Sequence, residues 1–137
     1  MQSMFERQGM KLPRLQHASL AYQPGEQEKV RAFYSGLLGL QEKQVPEPLA
    51  NRGLIWFFAG DNAMEIHLAP SEYLQRPGEG RHLCFEVPDI EELRRSFSEA
   101  GYEIISDIPI PQRPRFFVHD PFGNYLEFTT ILEDYLA

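Results

Sequence analysis

Thiols are nearly absent from this 137-residue chain: Cys84 is its single cysteine. Neither an intrachain disulfide framework nor a cysteine-based zinc site is therefore available. Basic residues are also short, with 13 lysines and arginines against 20 aspartates and glutamates and a formal net charge of −7. Nucleic acid is bound through a basic stripe, so no DNA or RNA partner is expected. No apolar run approaches the roughly 20 residues that cross a bilayer, so no membrane partner is expected either. The opening MQSMFERQGMKLPR lacks an apolar stretch, which predicts no signal peptide and a cytoplasmic location. P-loop, G-x-G-x-x-G, H-E-x-x-H and G-x-S-x-G patterns are all missing, removing the nucleotide-binding and common hydrolase chemistries. What the chain does have is 42% hydrophobic and 12% aromatic content, enough for the core of one domain, and four histidines: His17, His67, His82 and His119.

The residues read as two copies of one pattern. In the first, Leu15–Tyr22 alternates as a strand closed by Pro24-Gly25, and a helix follows over Glu26–Leu38. Val30, Phe33, Tyr34, Leu37 and Leu38 share one face of that helix, and Gly39 stops it. Strand-like runs come next at Leu40–Val45, Gly53–Ala59 and Ala63–Leu68, with a hairpin turn expected at Gly60-Asp61-Asn62. The second copy opens with a strand at Arg81–Val87, then a helix capped by Asp89 with Glu92 three residues on. Ile90, Leu93, Phe97 and Ala100 form its apolar face and Gly101 ends it. Runs at Tyr102–Ser106, Arg115–Asp120 and Asn124–Thr130 complete it. The expected fold class is α+β: an arm over 1–13, then one domain over 14–132 made of two βαβββ modules, 14–70 and 81–132, joined by a linker over 71–80, with a tail over 133–137. Ala69–Gly80 and the proline-rich Asp107–Pro114 are long loops of the kind that cover sites.

Strand parity sorts the charged residues. Ala18, Leu20 and Tyr22 oppose His17, Ser19 and Ala21; Ile66 and Leu68 oppose Glu65 and His67; Leu83 and Phe85 oppose His82 and Cys84; Leu126 and Phe128 oppose Tyr125 and Glu127. The apolar sets need the helices behind them. The opposite face carries His17, Glu65, His67, His82 and Glu127, where a face merely in contact with water favours lysine, arginine, serine and threonine. Imidazoles and carboxylates converging on a concave face are ligands for a divalent transition metal: iron(II) for two histidines and one carboxylate, or zinc, nickel or manganese with further ligation. Cys84 reads as a small lining residue, and His119 as a strand-end residue near substrate without a ligand role. Arg113 and Arg115 lie in or beside the proline-rich loop, placed to meet an anionic substrate, with solvent exposure the ordinary expectation for both.

The segments Leu15–Leu20, Arg31–Leu40 (RAFYSGLLGL), Arg81–Val87 (RHLCFEV) and Asp120–Phe128 (DPFGNYLEF) resemble the glyoxalase / bleomycin-resistance / extradiol-dioxygenase superfamily, the vicinal oxygen chelate fold. The resemblance covers about residues 14–131. It implies cup-shaped half-barrel modules, a homodimer, a small-molecule substrate, and a metal held by His17, His82, Glu127 and a fourth ligand within Glu65-Ile66-His67. Hairpin alignment favours His67 as that ligand; Glu65 and Glu127 would then be the proton-transferring carboxylates. Trp56, Phe58, Phe117 and Tyr125 are expected to line the pocket. The chemistry implied is that of a glyoxalase-like lyase or isomerase, or of a ring-cleaving dioxygenase. The alternative is a metal-free protein that sequesters a drug or metabolite, as in the bleomycin-resistance branch. A thiol transferase acting on phosphonates would need a cationic pocket, at which only Arg113 and Arg115 hint.

Overall fold

A computed structural model describes residues 6, 7, 10–61 and 63–133. The expected arm falls largely outside these residues, although β1 (Glu6–Arg7) and β2 (Met10–Lys11) pair antiparallel within it. Asn62 of the expected hairpin turn and residues 134–137 of the expected tail also lie outside.

Two open sheets carry the two copies. The first has the order β3 (His17–Tyr22), β6 (Glu65–Pro70), β5 (Ile55–Phe58) and β4 (Glu42–Lys43). The second has the order β7 (Leu83–Glu86), β9 (Tyr125–Thr129) and β8 (Arg115–His119). In each, the first strand of the copy lies parallel to the last, and the remaining pairings are antiparallel. The second sheet thus repeats the first with one strand fewer, a mixed α+β architecture of two half-barrel-like modules. Among the described residues, no helix is long and apolar enough to cross a membrane.

The missing strand corrects one expectation. Tyr102–Ser106 makes only a single bridge, Ile105 to Phe117, with N–H···O distances of 2.9 and 2.8 Å. The Asp107 carboxylate then accepts from the Ile108 N–H at 2.7 Å and turns the chain away before a ladder can extend. The strand expected at Leu40–Val45 also shrinks, to Glu42–Lys43. Pro46 and Pro48 begin a short 3₁₀ segment, Glu47–Arg52, because a proline cannot donate to a continuing ladder.

Both helices sit where the apolar spacing puts them. α1 (Gln27–Arg31) runs on into a π turn over Ala32–Leu37, in which the Leu38 N–H donates to Phe33 at 3.0 Å. Gly39, at φ 76°, then lets the Leu40 N–H reach back to the Tyr34 carbonyl at 2.9 Å, a helix stop that needs a residue without Cβ. In α2 (Ile90–Glu99) the Asp89 carboxylate accepts the Glu92 N–H at 3.1 Å, the cap its sequence announces.

The helices and the apolar strand faces share one core across both copies. Phe33 of the first helix lies 5.6 Å from Phe97 of α2, which lies 5.2 Å from Phe128. Beside this core, the DPFGN hairpin forms a polar clamp. Buried Asp120 accepts from Tyr34 Oη at 2.6 Å, from the Phe122 and Asn124 backbone N–H groups at 2.9 Å each, and from Asn124 Nδ2 at 2.8 Å. Asn124 Nδ2 also donates to the Ala21 carbonyl at 2.8 Å, so one hairpin of the second copy holds both the helix and the first strand of the other. Burial raises the Asp120 pKa above its usual value, against the lowering effect of these donors, and raises that of Tyr34 strongly. With the modules joined on the helix side, the opposite strand faces are left to carry the site.

Candidate functional site

Cross-strand register sets the first half-site. On the face away from the helices, Ser19, His67, Trp56 and Lys43 form one row, and His17, Glu65 and Phe58 form the next. His67 is sandwiched between two rings: His17 at 4.1 Å between centroids and Trp56 at 3.9 Å, almost parallel at 2°. Its Nε2 lies 2.8 Å from Glu65 Oε1, while the Lys43 ammonium pairs with Glu65 Oε2. Those two donors hold the buried Glu65 carboxyl down to about 2, so it is ionised and accepts the His67 Nε2–H. Burial lowers the His67 pKa, leaving a neutral ring. Lys43 also lies over the Phe58 ring at 5.4 Å.

The second half-site follows the same plan. Its rows are His82, Tyr125 and His119; Cys84, Glu127 and Phe117; and Glu86, Thr129 and Arg115, with His82 just before the first residue of β7. Each first strand places its histidine two residues before the residue that faces the last strand: Ser19 faces His67, and Cys84 faces Glu127. The register therefore makes His67 the counterpart of Glu127, and Trp56 the counterpart of Phe117. Glu127 is buried, with Oε1 3.1 Å from His82 Nε2 and Oε2 facing Arg113 Nη2 at 3.1 Å and Arg115 Nη1 at 3.3 Å. Phe117 and Tyr125 stack at 4.7 Å, and both meet the His82 ring edge-on. His119, at the end of β8, leans on Tyr125 at 4.9 Å. These rings, with Gly78–Gly80, Ile105 and Asp107, bound a cavity of about 360 Å³.

Two of the histidines have one nitrogen fixed from behind. His17 Nδ1 lies 2.7 Å from Gln16 Oε1, and His82 Nδ1 lies 2.8 Å from the Gly80 carbonyl. Oxygen acceptors at Nδ1 place the proton there and leave Nε2 as the electron-pair donor, an arrangement typical of metal-binding imidazoles. For His82 the consequence is sharp. Its Nε2 faces a carboxylate oxygen, and a neutral ring cannot donate from both nitrogens, so the contact calls for a second ring proton or a cation. The donors thus fit a divalent metal in kind, two imidazole nitrogens and a carboxylate oxygen. In place they are divided. His17, Glu65 and His67 lie on one sheet, His82 and Glu127 on the other, and among the described residues no three histidine, cysteine or acidic side chains form a group that holds a metal ion.

Arg113 and Arg115 correct the sequence expectation of solvent exposure. Their side chains are only 19% and 14% exposed and converge on Glu127. Lys43, Gln16 and the Gly80 carbonyl were missed altogether. The signal for Lys43 was its alternation with Gln41 and Val45 on a strand paired to β5. Cys84, an exposed residue on this face, accepts a weak contact from Arg113 Nη2 at 3.4 Å, and partial desolvation raises its thiol pKa.

Comparison with known proteins bears directly on this arrangement. Residues 14–128 match the Glyoxalase/Bleomycin resistance protein/Dioxygenase superfamily, and the chain belongs to that superfamily. Comparison with curated protein sequences gave no match. Among solved structures, a glyoxalase family protein from Bacillus anthracis is 34% identical, with a TM-score of 0.77, over 88% of this chain and 96% of that one. A glyoxalase/dioxygenase from Nostoc punctiforme shares the fold at 20% identity and a TM-score of 0.73, over 88% and 92% of the two chains. The fosfomycin resistance protein FosX from Listeria monocytogenes shares it at 16% identity and a TM-score of 0.72, over 91% and 96%.

Proposed function

We propose that this protein is a metal-dependent enzyme acting on a small oxygenated molecule, by lyase, isomerase or ring-cleaving chemistry of the glyoxalase/dioxygenase kind. The observation that carries the reading is the His82–Glu127 contact, in which Nε2 faces a carboxylate oxygen at 3.1 Å while Nδ1 lies 2.8 Å from the Gly80 carbonyl, so that a second ring proton or a cation must stand between the ring and the carboxylate. His17, His82, Glu127 and His67 are the proposed ligands, His67 because the strand register makes it the twin of Glu127. A metal bound by these residues would stabilise negative charge developing on substrate oxygen. The two half-sites of one chain complete each other across a homodimer in this reading, which is supported by their separation on two sheets. Glu65 is the proposed base, and it accepts a proton readily only once Lys43 is drawn away, because a carboxyl held near 2 is a weak proton acceptor.

Subunit complementation tests both the metal and the dimer. Chains carrying His17→Ala and chains carrying Glu127→Ala are each expected to lose most bound Mn²⁺, Ni²⁺ or Zn²⁺. A mixed dimer is expected to regain one intact site of the two. Full metal retention by both single variants would overturn the reading.

One observation favours a second reading, a metal-free binding protein: Glu65 is already matched by Lys43, and Glu127 by Arg113 and Arg115. Failure of the wild-type chain to bind any divalent metal, with retained ligand binding, would select it.

A further inference from the structure

We infer that Arg113 and Arg115 form an oxyanion subsite, taking a carboxylate or phosphoryl-type group of the ligand, and that Glu127 occupies it when no ligand is bound. This rests on the proposed function only in treating the Glu127 face as the ligand site.

The first support is a convergence of charge. Two guanidiniums held side by side repel each other, and an oxyanion placed between them relieves that repulsion. Here two largely buried guanidiniums address the same oxygen, Glu127 Oε2, in a chain whose net charge is −7. Asp107 is the other acid near Arg115, at 3.7 Å; it is half exposed and so screened by solvent.

The second support is an orphaned donor. Arg115 Nε is buried and has no hydrogen-bond partner, and the only other such side-chain atom among the described residues is Trp56 Nε1, on the counterpart strand of the first half-site. Both are N–H donors, so the partner each lacks is an acceptor. An anion supplies acceptors, and a planar guanidinium binds a carboxylate or phosphoryl group through two parallel bonds.

The third is preorganisation. The Arg115 fork is held in orientation by the Ile108 carbonyl at 2.8 Å from Nη2, and its guanidinium lies 5.4 Å from the Phe117 ring centre. Phe117 and Asp107 also bound the 360 Å³ cavity, whose stacked Phe117 and Tyr125 rings supply a flat apolar wall. The ligand class this describes is a small planar or unsaturated molecule bearing one oxyanion, the anion on the arginines and the body against the rings. When Glu127 is drawn toward a cation its charge is spent there, and the two guanidiniums are released to the ligand.

Calorimetric titration of the full-length protein with benzoate, inorganic phosphate and neutral benzamide tests the subsite. Benzoate or phosphate is expected to bind and benzamide to bind at least about tenfold more weakly; the tighter anion tells a carboxylate from a phosphoryl ligand. Arg113→Gln and Arg115→Gln are expected to weaken anion binding by about tenfold or more each. Glu127→Gln is expected to strengthen it, because the resident competitor is gone, a gain that mere loss of folding does not produce. Equal binding of benzoate and benzamide, no anion binding at millimolar concentration, or unchanged anion affinity in Glu127→Gln would each overturn the inference. Loss of the metal reading in the complementation experiment leaves these titrations unaffected, so the two fail separately.

Discussion

Replacing Asp120 by alanine is expected to cost about 3–5 kcal/mol of folding stability. The magnitude comes from what the carboxylate serves: Tyr34 Oη, two backbone N–H groups and Asn124 Nδ2, all within 2.6–2.9 Å. Each buried donor left without a partner costs about 1–3 kcal/mol. Removing a charge that burial already disfavours returns part of that sum, and the Asn124–Ala21 bond survives. For a chain of this length the net loss lowers Tm by about 10–20 °C, read by calorimetry. Asp120→Asn keeps an acceptor for the two backbone donors but sets its amide against that of Asn124, so its loss should fall between alanine and wild type. Because burial raises the Asp120 pKa, the folded state holds that proton more tightly than the unfolded chain. The alanine variant's deficit should therefore widen as pH falls through the Asp120 range. An alanine variant within about 1 kcal/mol of wild type would refute the view that this hairpin clamps the two modules together.

Three further outcomes are expected. Lys43→Met removes one of the two donors that hold Glu65 near pH 2, so the Glu65 pKa rises toward 4.5. Ionised Glu65 stabilises the fold above about 4.5 and loses that contribution as pH falls toward 2; in the variant the contribution is smaller and disappears at higher pH, visible as an earlier acid-unfolding midpoint by circular dichroism. Gly123→Ala places a Cβ 3.2 Å from the Gln75 carbonyl at a φ of 86°, and should cost about 1–2 kcal/mol in urea unfolding. Asp89→Ala deletes the cap of α2 and should cost about 1 kcal/mol, with no change in metal or anion binding.

Alternation and helical spacing carried most of the fold. Ala18, Leu20 and Tyr22 face the core opposite His17, and the Asp89 cap and the Gly39 stop lie where their residue types require. Local pattern failed where a distant partner decides. The π turn at Ala32–Leu37 has no sequence signature, and Tyr102–Ser106 alternates like a strand but is turned away by Asp107. Half of the site was visible through parity alone, which isolates side chains on a face without saying which of them touch. Lys43 reaches Glu65 through two successive strand pairings. Arg113 and Arg115 reach Glu127 because the β8–β9 hairpin folds residues 12 and 14 positions apart onto each other. Burial of arginines in a proline-rich loop follows from that hairpin and not from the loop's composition.

The clamp on the helix side has a consequence for how such a chain can change. Asp120, Tyr34 and Asn124 fix the two modules without drawing on any residue of the opposite strand faces. Selection can therefore rewrite the ring-lined faces, swapping an imidazole for a carboxylate or an aromatic for a cation, while the joint that sets their spacing stays untouched. His67 and Glu127 stand at matching places in the two copies and already differ in this way. Each copy is a separately editable page in a binding held along the other edge.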